Sequence, residues 1–482
     1  MRDFDPIAGL LEWLSRDPDA DALIGADASL TVAEFWDSAV RFAQLLREEG
    51  IGQGVAVAVA VPPVLQPVFA LAIWILGAIG AVAPAAAGDE LAPVLNRLVT
   101  GSARPGFPAE RQTIVDAGWL ARAGALPAAE FIPAARARDE IVRLVFSSGT
   151  TGAPKAIPFT VDEIRERVER GRGFWMHPRP FLSILGLGTV SGSATFFSDL
   201  DEGSPHLVPG TADENVRLLA ATGAGAIHAS PVQLSELLTT ARQRRESLPQ
   251  LQFIQSAGSP LPDELARTLG EYFGAQVEII YGSTEVGGIT IRRGPALVPG
   301  DVGEIQPFAT VEVLDDAGRP RTDGAEGLIR IRRPNQANQA FRGGAGEQEA
   351  FRDGWFMPGD IGRVVAGRLV LRGRRDDLIN AAGIKVDPER IEQRALRHPG
   401  VIDAVAVGVE DARGVAAVAL EVVADQSVDL GELRAALRAD LGDAAPRVLE
   451  RIDVVPRTEN GKVRRAEVAA QLRERLGRGW EL

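Results

Sequence analysis

Apolar and polar positions alternate between two rhythms over the first 290 residues. Thr31, followed three places on by Glu34, reads as a capping box. Phe35, Val40, Phe42, Leu45 and Leu46 then mark one helix face, which Gly50 to Gly54 ends. Val55 to Val61 is a nearly continuous, Val-rich apolar run suited to a strand buried on both faces. The same reading predicts a helix over 64–77, a strand over 79–84, a helix over 89–100 and an Ala-, Gly- and Pro-rich loop over 101–139. A strand follows at 141–146, then a loop and a charged helix over 160–172. Strands at 181–186, 225–229, 252–256 and 277–281 alternate with helices at 213–222, 231–245 and 262–273. Strand–helix alternation of this length predicts doubly wound parallel sheets.

The rhythm changes near residue 300. Strands at 302–314 and 327–333, with turn signals at Asp315–Gly318 and Asp323-Gly324, predict a small barrel-like β subdomain over about 300–375. Residues 336–348 are polar and Gly-rich and read as a surface loop. The charge run Arg372 to Asp377 reads as a hinge. Beyond it, helix 387–397, strands 401–409 and 415–423, helix 429–441, strand 450–455 and a basic helix from 463 form a small α+β unit. The predicted fold is therefore α/β. A large N-terminal domain, 1–375, combines doubly wound sheets with the β subdomain, and a small mobile α+β C-terminal domain, 376–482, follows.

The chain has 482 residues, 45% of them hydrophobic, enough for more than one core. Its net charge of −13 opposes general binding to nucleic acid or anionic membranes. With no cysteine, thiol catalysis and disulfides are excluded. The apolar run 67–87 has the composition of a membrane span. Gly77, Gly80 and Pro84 interrupt it, and a second apolar run lies just upstream, so it reads as part of a buried strand–helix–strand unit. The start, MRDFDPIAGLLEW, lacks the basic region and long apolar core of a signal peptide, and a cytoplasmic protein is expected. Monomer and homodimer are both open.

Candidate chemistry begins at FSSGTTGAPK, 146–155. Ser147, Ser148, Thr150 and Thr151 offer hydroxyls. Gly149 and Gly152 allow close backbone approach, and Lys155 adds a cation, a set suited to nucleotide phosphates. It is not the Walker pattern, because Ala153 and Pro154 separate Gly152 from Lys155. Tyr281-Gly282-Ser283-Thr284-Glu285 places an acid after an apolar strand, suited to Mg²⁺ shared with phosphates. Trp355 to Asp360 is a tight turn whose acid suits ribose hydroxyls, and Arg374 is a second donor to the same sugar. Pro456 to Lys462 is a turn presenting a lysine.

Together these segments, with SAGSPLP (256–262) and RGRRDDLINAAGIKVDPERIE, resemble the adenylate-forming superfamily: acyl-CoA synthetases, AMP-dependent ligases and adenylation domains. The resemblance runs in order from TVAEF at 31–35 to Lys462. It implies ATP and Mg²⁺ as cofactors, and CoA or a phosphopantetheinyl carrier protein as co-substrate. It assigns Ser147, Ser148, Gly149, Thr150, Thr151, Gly152 and Lys155 to the ATP phosphates, and Ala257, Gly258, Tyr281, Gly282, Ser283, Thr284, Asp360 and Arg374 to the rest of ATP or AMP, with Tyr281 near adenine. Glu285 and Thr151 would hold the metal. Lys462, Glu285 and Thr150 would be catalytic, and Asp376 would be the hinge. Leu185, Gly186, His228, Ser256, Gly258 and Gly287 are the candidate acid pocket. Two positions depart from the pattern: Asn380 stands where a lysine is common, with Lys385 five places on, and Phe181 to Gly188 has no histidine and no later aromatic. The expected activity is ATP-dependent acid–thiol ligation, in which an apolar or aromatic carboxylic acid becomes acyl-AMP and is passed to the thiol. An amine or hydroxyl acceptor shares every motif. Glu285 and Lys462 argue against an inactive nucleotide-binding scaffold.

Overall fold

The computed structural model describes residues 4–84, 89–127, 132–148, 154–174, 179–337, 340–342, 350–375, 377–381, 384–410, 416–457 and 463–477. Thr31 caps the helix Val32–Glu48 with the expected capping box. The valine run forms strand β1 (Ala56–Ala60), the centre of a six-stranded sheet with β2 (Ile79–Val82), β3 (Arg97–Thr100), β4 (Gln112–Ile114), β5 (Ile141–Ser148) and β6 (Pro154–Thr160). The order is β4-β3-β1-β2-β5-β6, parallel except for β6. The apolar run 67–87 supplies the buried helix Gln66–Ile75 and then β2. Among the described residues no helix is long and apolar enough to cross a membrane.

Helix α1 (Val161–Phe174) packs against helix α2 (Val190–Glu202). A second sheet begins with parallel strands β7 (Phe181–Ser183), β8 (Ala226–Ala229), β9 (Phe253–Ser256) and β10 (Gln276–Ser283). It continues, antiparallel, through β11 (Gly287–Arg293), β12 (Asp301–Ile305), β13 (Thr310–Leu314), β14 (Gly327–Arg332), β15 (Asp360–Val365) and β16 (Arg368–Arg374). With three short flanking strands this is one sheet of thirteen strands. The β-rich segment is thus an extension of the second parallel sheet, joined through the β10–β11 hairpin. Arg143 on β5 donates to the carbonyl of Leu187 at 2.5 Å and ties the first sheet to the turn ahead of α2.

The C-terminal unit has strands β17 (Val401–Glu410) and β18 (Ala416–Ala424) antiparallel, with β19 (Val448–Arg451) parallel to β18. Helices Pro388–Ala395 and Leu430–Leu441 cover one face and Arg465–Leu476 the other, each over its own apolar cluster. A large N-terminal and a small C-terminal α/β unit are as expected.

Several expectations are corrected. Residues 89–100 are not a helix: a single 3₁₀ turn, Asp89–Leu91, precedes β3. Leu91, Leu95 and Leu98 have helical spacing and are buried, yet pairing with β1 draws the segment into the sheet. The loop over 101–139 contains β4 and the helix Ala117–Ala125. Residues 302–314 are two strands, and the last strand of the C-terminal unit lies at 448–451 rather than 450–455. The stretch from 336 is not all surface: Gln336, Ala337 and Ala340 are buried, and Phe341 N–H donates to the Ala156 carbonyl at 2.8 Å. The N-terminal helix Pro6–Arg16 and α2 carried no expectation.

Candidate nucleotide and acid site

Strand β6 stands where a direct passage from loop to helix was expected. The Ser/Thr/Gly loop therefore joins two antiparallel strands, with Ser147 opposite Lys155 and Ser148 opposite Pro154. Gly149, Thr150, Thr151 and Gly152 lie outside the described residues, as does the side chain of Ser148. Lys155 is partly buried on β6, one residue beyond the loop's closing pair. Asp376 and Lys462 also lie outside the described residues, as do the side chains of Asn380 and Lys385. On either side of the stretch holding Lys462, Arg457 and Val463 pair as an antiparallel bridge, and Arg457 donates to Asp403 at 2.7 Å.

Three of the expected site residues meet directly. Asp360 opens β15 and pairs with Arg374 at the end of β16. The Arg374 guanidinium lies 3.3 Å from Asp360 Oδ1 and donates to the Pro358 carbonyl at 2.7 Å. The Tyr281 hydroxyl donates to Asp360 Oδ2. Burial, and then the Asp360 charge, hold the Tyr281 phenol well above its ordinary pKa, so it remains a donor at neutral pH. Sequence positions 281, 360 and 374 thus form one polar cluster at the end of β10, where parallel strands of an α/β sheet offer their binding crevice.

Glu285 sits in the β10–β11 turn. Its conformation depends on close backbone contact: a Cβ on Gly282 would lie 2.0 Å from the Gly287 carbonyl oxygen, and Gly287 has φ +67°. Ser283 Oγ accepts from Val286 N–H at 3.4 Å, and Thr284 is partly buried beside it. Beneath the turn lies a buried cationic group absent from the expected set. Arg167 of α1 donates to the Glu285 carbonyl at 3.0 Å. Arg333 donates to the Val286 carbonyl at 2.5 Å and to Glu166 at 2.6 Å, and Arg170 completes the Glu166 pair. Burial, then the neighbouring Arg333, lower Arg167 to about 9. No local pattern marks these arginines in the sequence, because contacts such as Glu166–Arg333 span 167 positions.

Among the described residues no cluster of three or more His, Asp or Glu forms a cage for a metal. A single carboxylate such as Glu285 is nonetheless the donor set Mg²⁺ takes when phosphates supply the remaining oxygens. A sugar also fits, with Asp360 and Arg374 as a paired acid and guanidinium.

The candidate acid-pocket residues fall on both faces of the parallel strands. Gly186 has φ +68°, next to partly buried Leu185, in the turn between β7 and α2. A Cβ on Gly186 would have no atom within 4 Å, so the turn borders open space. His228 is buried on β8, with Nδ1 2.6 Å from Ser191 Oγ. Ser256 lies on the opposite face, in register with Ala229 and Ile279, and is fully buried. Ala257 N–H donates to the Ala229 carbonyl at 3.2 Å, and Gly258 has φ +95° in the turn that follows.

Comparison with known proteins agrees with this arrangement. Residues 10–340 match the model of the AMP-binding enzyme family, and residues 390–462 match its C-terminal domain. The chain is 30% identical over 356 residues to 3-hydroxybenzoate–CoA/4-hydroxybenzoate–CoA ligase of Thauera aromatica, covering 70% of this chain and 68% of that protein. It is 28% identical over 497 residues to feruloyl-CoA synthase of an Amycolatopsis species, covering 95% and 98%. It also matches chalcone synthase cfoA of Aspergillus candidus at 29% identity, spanning 13% of that protein's length. ATP-bound MatB from Rhodopseudomonas palustris shares the fold, with a TM-score of 0.83, 23% identity and coverage of 99% and 100%. The chain belongs to the AMP-binding enzyme family, the adenylate-forming superfamily its motifs resemble, and carries both the large domain and the C-terminal domain.

Proposed function

We propose that this chain is an AMP-forming acid–thiol ligase that activates a carboxylic acid with ATP and passes the acyl group to CoA. The observation that carries this reading is the Tyr281–Asp360–Arg374 cluster, a polar group suited to a nucleotide and built from three distant parts of the chain. The names of two relatives, feruloyl-CoA synthase, matched over 95% of this chain, and hydroxybenzoate–CoA ligase, matched over 70%, support CoA as acceptor and an aryl acid as substrate. A carrier-protein phosphopantetheine offers the same thiol chemistry and is the second acceptor. The cytoplasm, with its ATP and thiol pools, is the setting this reading implies.

The chemistry brings two anions together. A carboxylate oxygen attacks the α-phosphorus, and pyrophosphate leaves with the bonding electrons. The thiol sulfur then attacks the acyl carbon, and AMP leaves. Bound Mg²⁺ would supply charge neutralisation on the phosphates. Asp360 and Arg374 orient the ribose, and Tyr281 holds Asp360 in place. Thr150, Thr151 and Lys155 bind phosphate oxygens, and Glu285 would hold the metal from its braced turn. Lys462 places a cation between carboxylate and phosphate, where charge accumulates. It withdraws with the C-terminal domain, from a boundary at residues 375 and 376 with Asp376 as hinge, so that the thiol can enter.

Product mass tests the acceptor. With ATP, Mg²⁺, an accepted acid and CoA beside simple amines and alcohols, the expected products are acyl-CoA and AMP. An amide or ester in place of the thioester would overturn the thiol assignment.

A further inference from the structure

One face of the second sheet carries a buried polar row. Ser183 on β7, His228 on β8, Gln255 on β9 and Glu278 on β10 are in register across four parallel strands. In-register residues of parallel strands project from the same face, with neighbouring strands about 4.8 Å apart. All four are buried, at 3%, 7%, 0% and 0% exposure. Glu278 is satisfied: Gln255 Nε2 donates to it at 2.9 Å and Arg293 at 2.7 Å. The other three are not. Among the described residues, His228 Nε2, Ser183 Oγ and Gln255 Oε1 are buried without a hydrogen-bond partner. Buried polar atoms normally have partners, and three vacancies on adjacent strands in one row call for a common explanation. His206 Nε2 is a useful contrast. It too lacks a partner, but that ring packs edge-on to Phe196 and is engaged through Nδ1 by Asp199, outside any polar row.

The row is placed to meet the acid. It crosses β10 three residues before Tyr281, roughly 10 Å down the strand from the nucleotide cluster. The turn Ile184–Leu187 lies against its end. Ile184 N–H donates to the His228 carbonyl at 2.8 Å, and Gln233 donates to the Ile184 carbonyl at 3.1 Å. Within that turn, Gly186 borders open space. Ser191, at the start of α2, fixes the imidazole through Nδ1 and leaves Nε2 as its one vacant atom. Burial lowers His228 to about 4, so the ring is neutral at physiological pH.

We infer that Ser183, His228 and Gln255 form the polar floor of the acid pocket and select a carboxylic acid with a neutral hydrogen-bonding substituent, such as a hydroxyl, at the end away from the carboxylate. A hydroxyl both donates and accepts, so it can serve a carbonyl oxygen and an imidazole nitrogen together. A charged substituent is disfavoured, because Glu278 is already paired and the row offers no vacant countercharge. This inference rests on the ligase reading and narrows its substrate from apolar or aromatic acids to hydroxylated ones. Sites built to bond a substrate hydroxyl discriminate against the analogue lacking it, because their own polar atoms are then left unpaired.

The test is kcat/KM for matched acid pairs with ATP, Mg²⁺ and CoA: benzoate against 3- and 4-hydroxybenzoate, and cinnamate against 4-hydroxycinnamate. The full-length enzyme should prefer a hydroxylated member by about 10-fold or more. His228→Phe and Ser183→Ala should each move that ratio toward 1. General structural damage would lower both members together and leave the ratio alone, and Ser183→Ala carries the test if His228→Phe does not fold. A wild-type ratio near 1, or a ratio unmoved in the folded variants, would overturn the inference while leaving the ligase reading intact. AMP formation with no acid at all would overturn both.

Discussion

Tyr281 shows how one hydroxyl can link distant parts of a site. Asp360 has an arginine on one oxygen and a phenol on the other, so its carboxylate is already oriented for the ribose we propose it binds. Removing the phenol leaves the acid free to rotate without unpairing its charge. Tyr281→Phe is therefore predicted to raise KM for ATP about 10-fold, the value of a hydrogen bond to a charged group at its low end. The measurement is initial rate against ATP at saturating acid, and an unchanged KM would remove Tyr281 from the nucleotide site. These residues were legible in the sequence because each ends a strand or a turn with distinctive composition. His228 was legible only as a candidate. Its vacancy depends on register with Ser183 and Gln255, and register with residues 45 and 27 positions away is not written in any local pattern.

At the scale of elements, the decisive feature is what braces the β10–β11 turn. Arg167 of α1 and Arg333, just beyond β14, hold the carbonyls of Glu285 and Val286 from below, and Glu166 of α1 accepts from Arg333. Arg333 and Glu166 have side chains only 2% and 8% exposed, so their pairing is poorly screened. Arg333→Ala should destabilise the protein by about 3 kcal/mol, the low end for breaking a buried pair, because Arg170 stays beside Glu166. Denaturant titration measures this, and a loss below about 1 kcal/mol would show the pair to be dispensable. Elements whose pattern is local were legible in the sequence, such as the capping box at Thr31 and the valine run of β1. Elements where pairing overrides pattern were not, as in β3, which follows leucines of helical spacing. The helix from Pro6 carried a start signal that went unread, Asp5 before Pro6: the Asp5 carboxylate accepts from Ile7 and Ala8 N–H. The hairpin at the phosphate loop was hidden by Pro154 and Pro158, which argue against a strand in sequence and are tolerated here in β6, the outermost strand of its sheet.

At the scale of the whole molecule, two sheets, the helices packed with them and a small C-terminal unit combine, in the proposed reading, to surround one nucleotide. The two units were legible because each carries its own motifs, and both family models match. The identity of the acid was not, because the candidate pocket residues lie on separate strands. The central claim is that the chain joins an acid to AMP, and that Lys462, supplied by the C-terminal unit, is needed for that step. The most direct measurement is pyrophosphate release from ATP and Mg²⁺ across a panel of aryl and alkyl acids, for the wild type and for Lys462→Ala. Release by the wild type that depends on the acid, and its loss in Lys462→Ala, is the predicted result. Release independent of any acid, or equal release by both proteins, would contradict the claim.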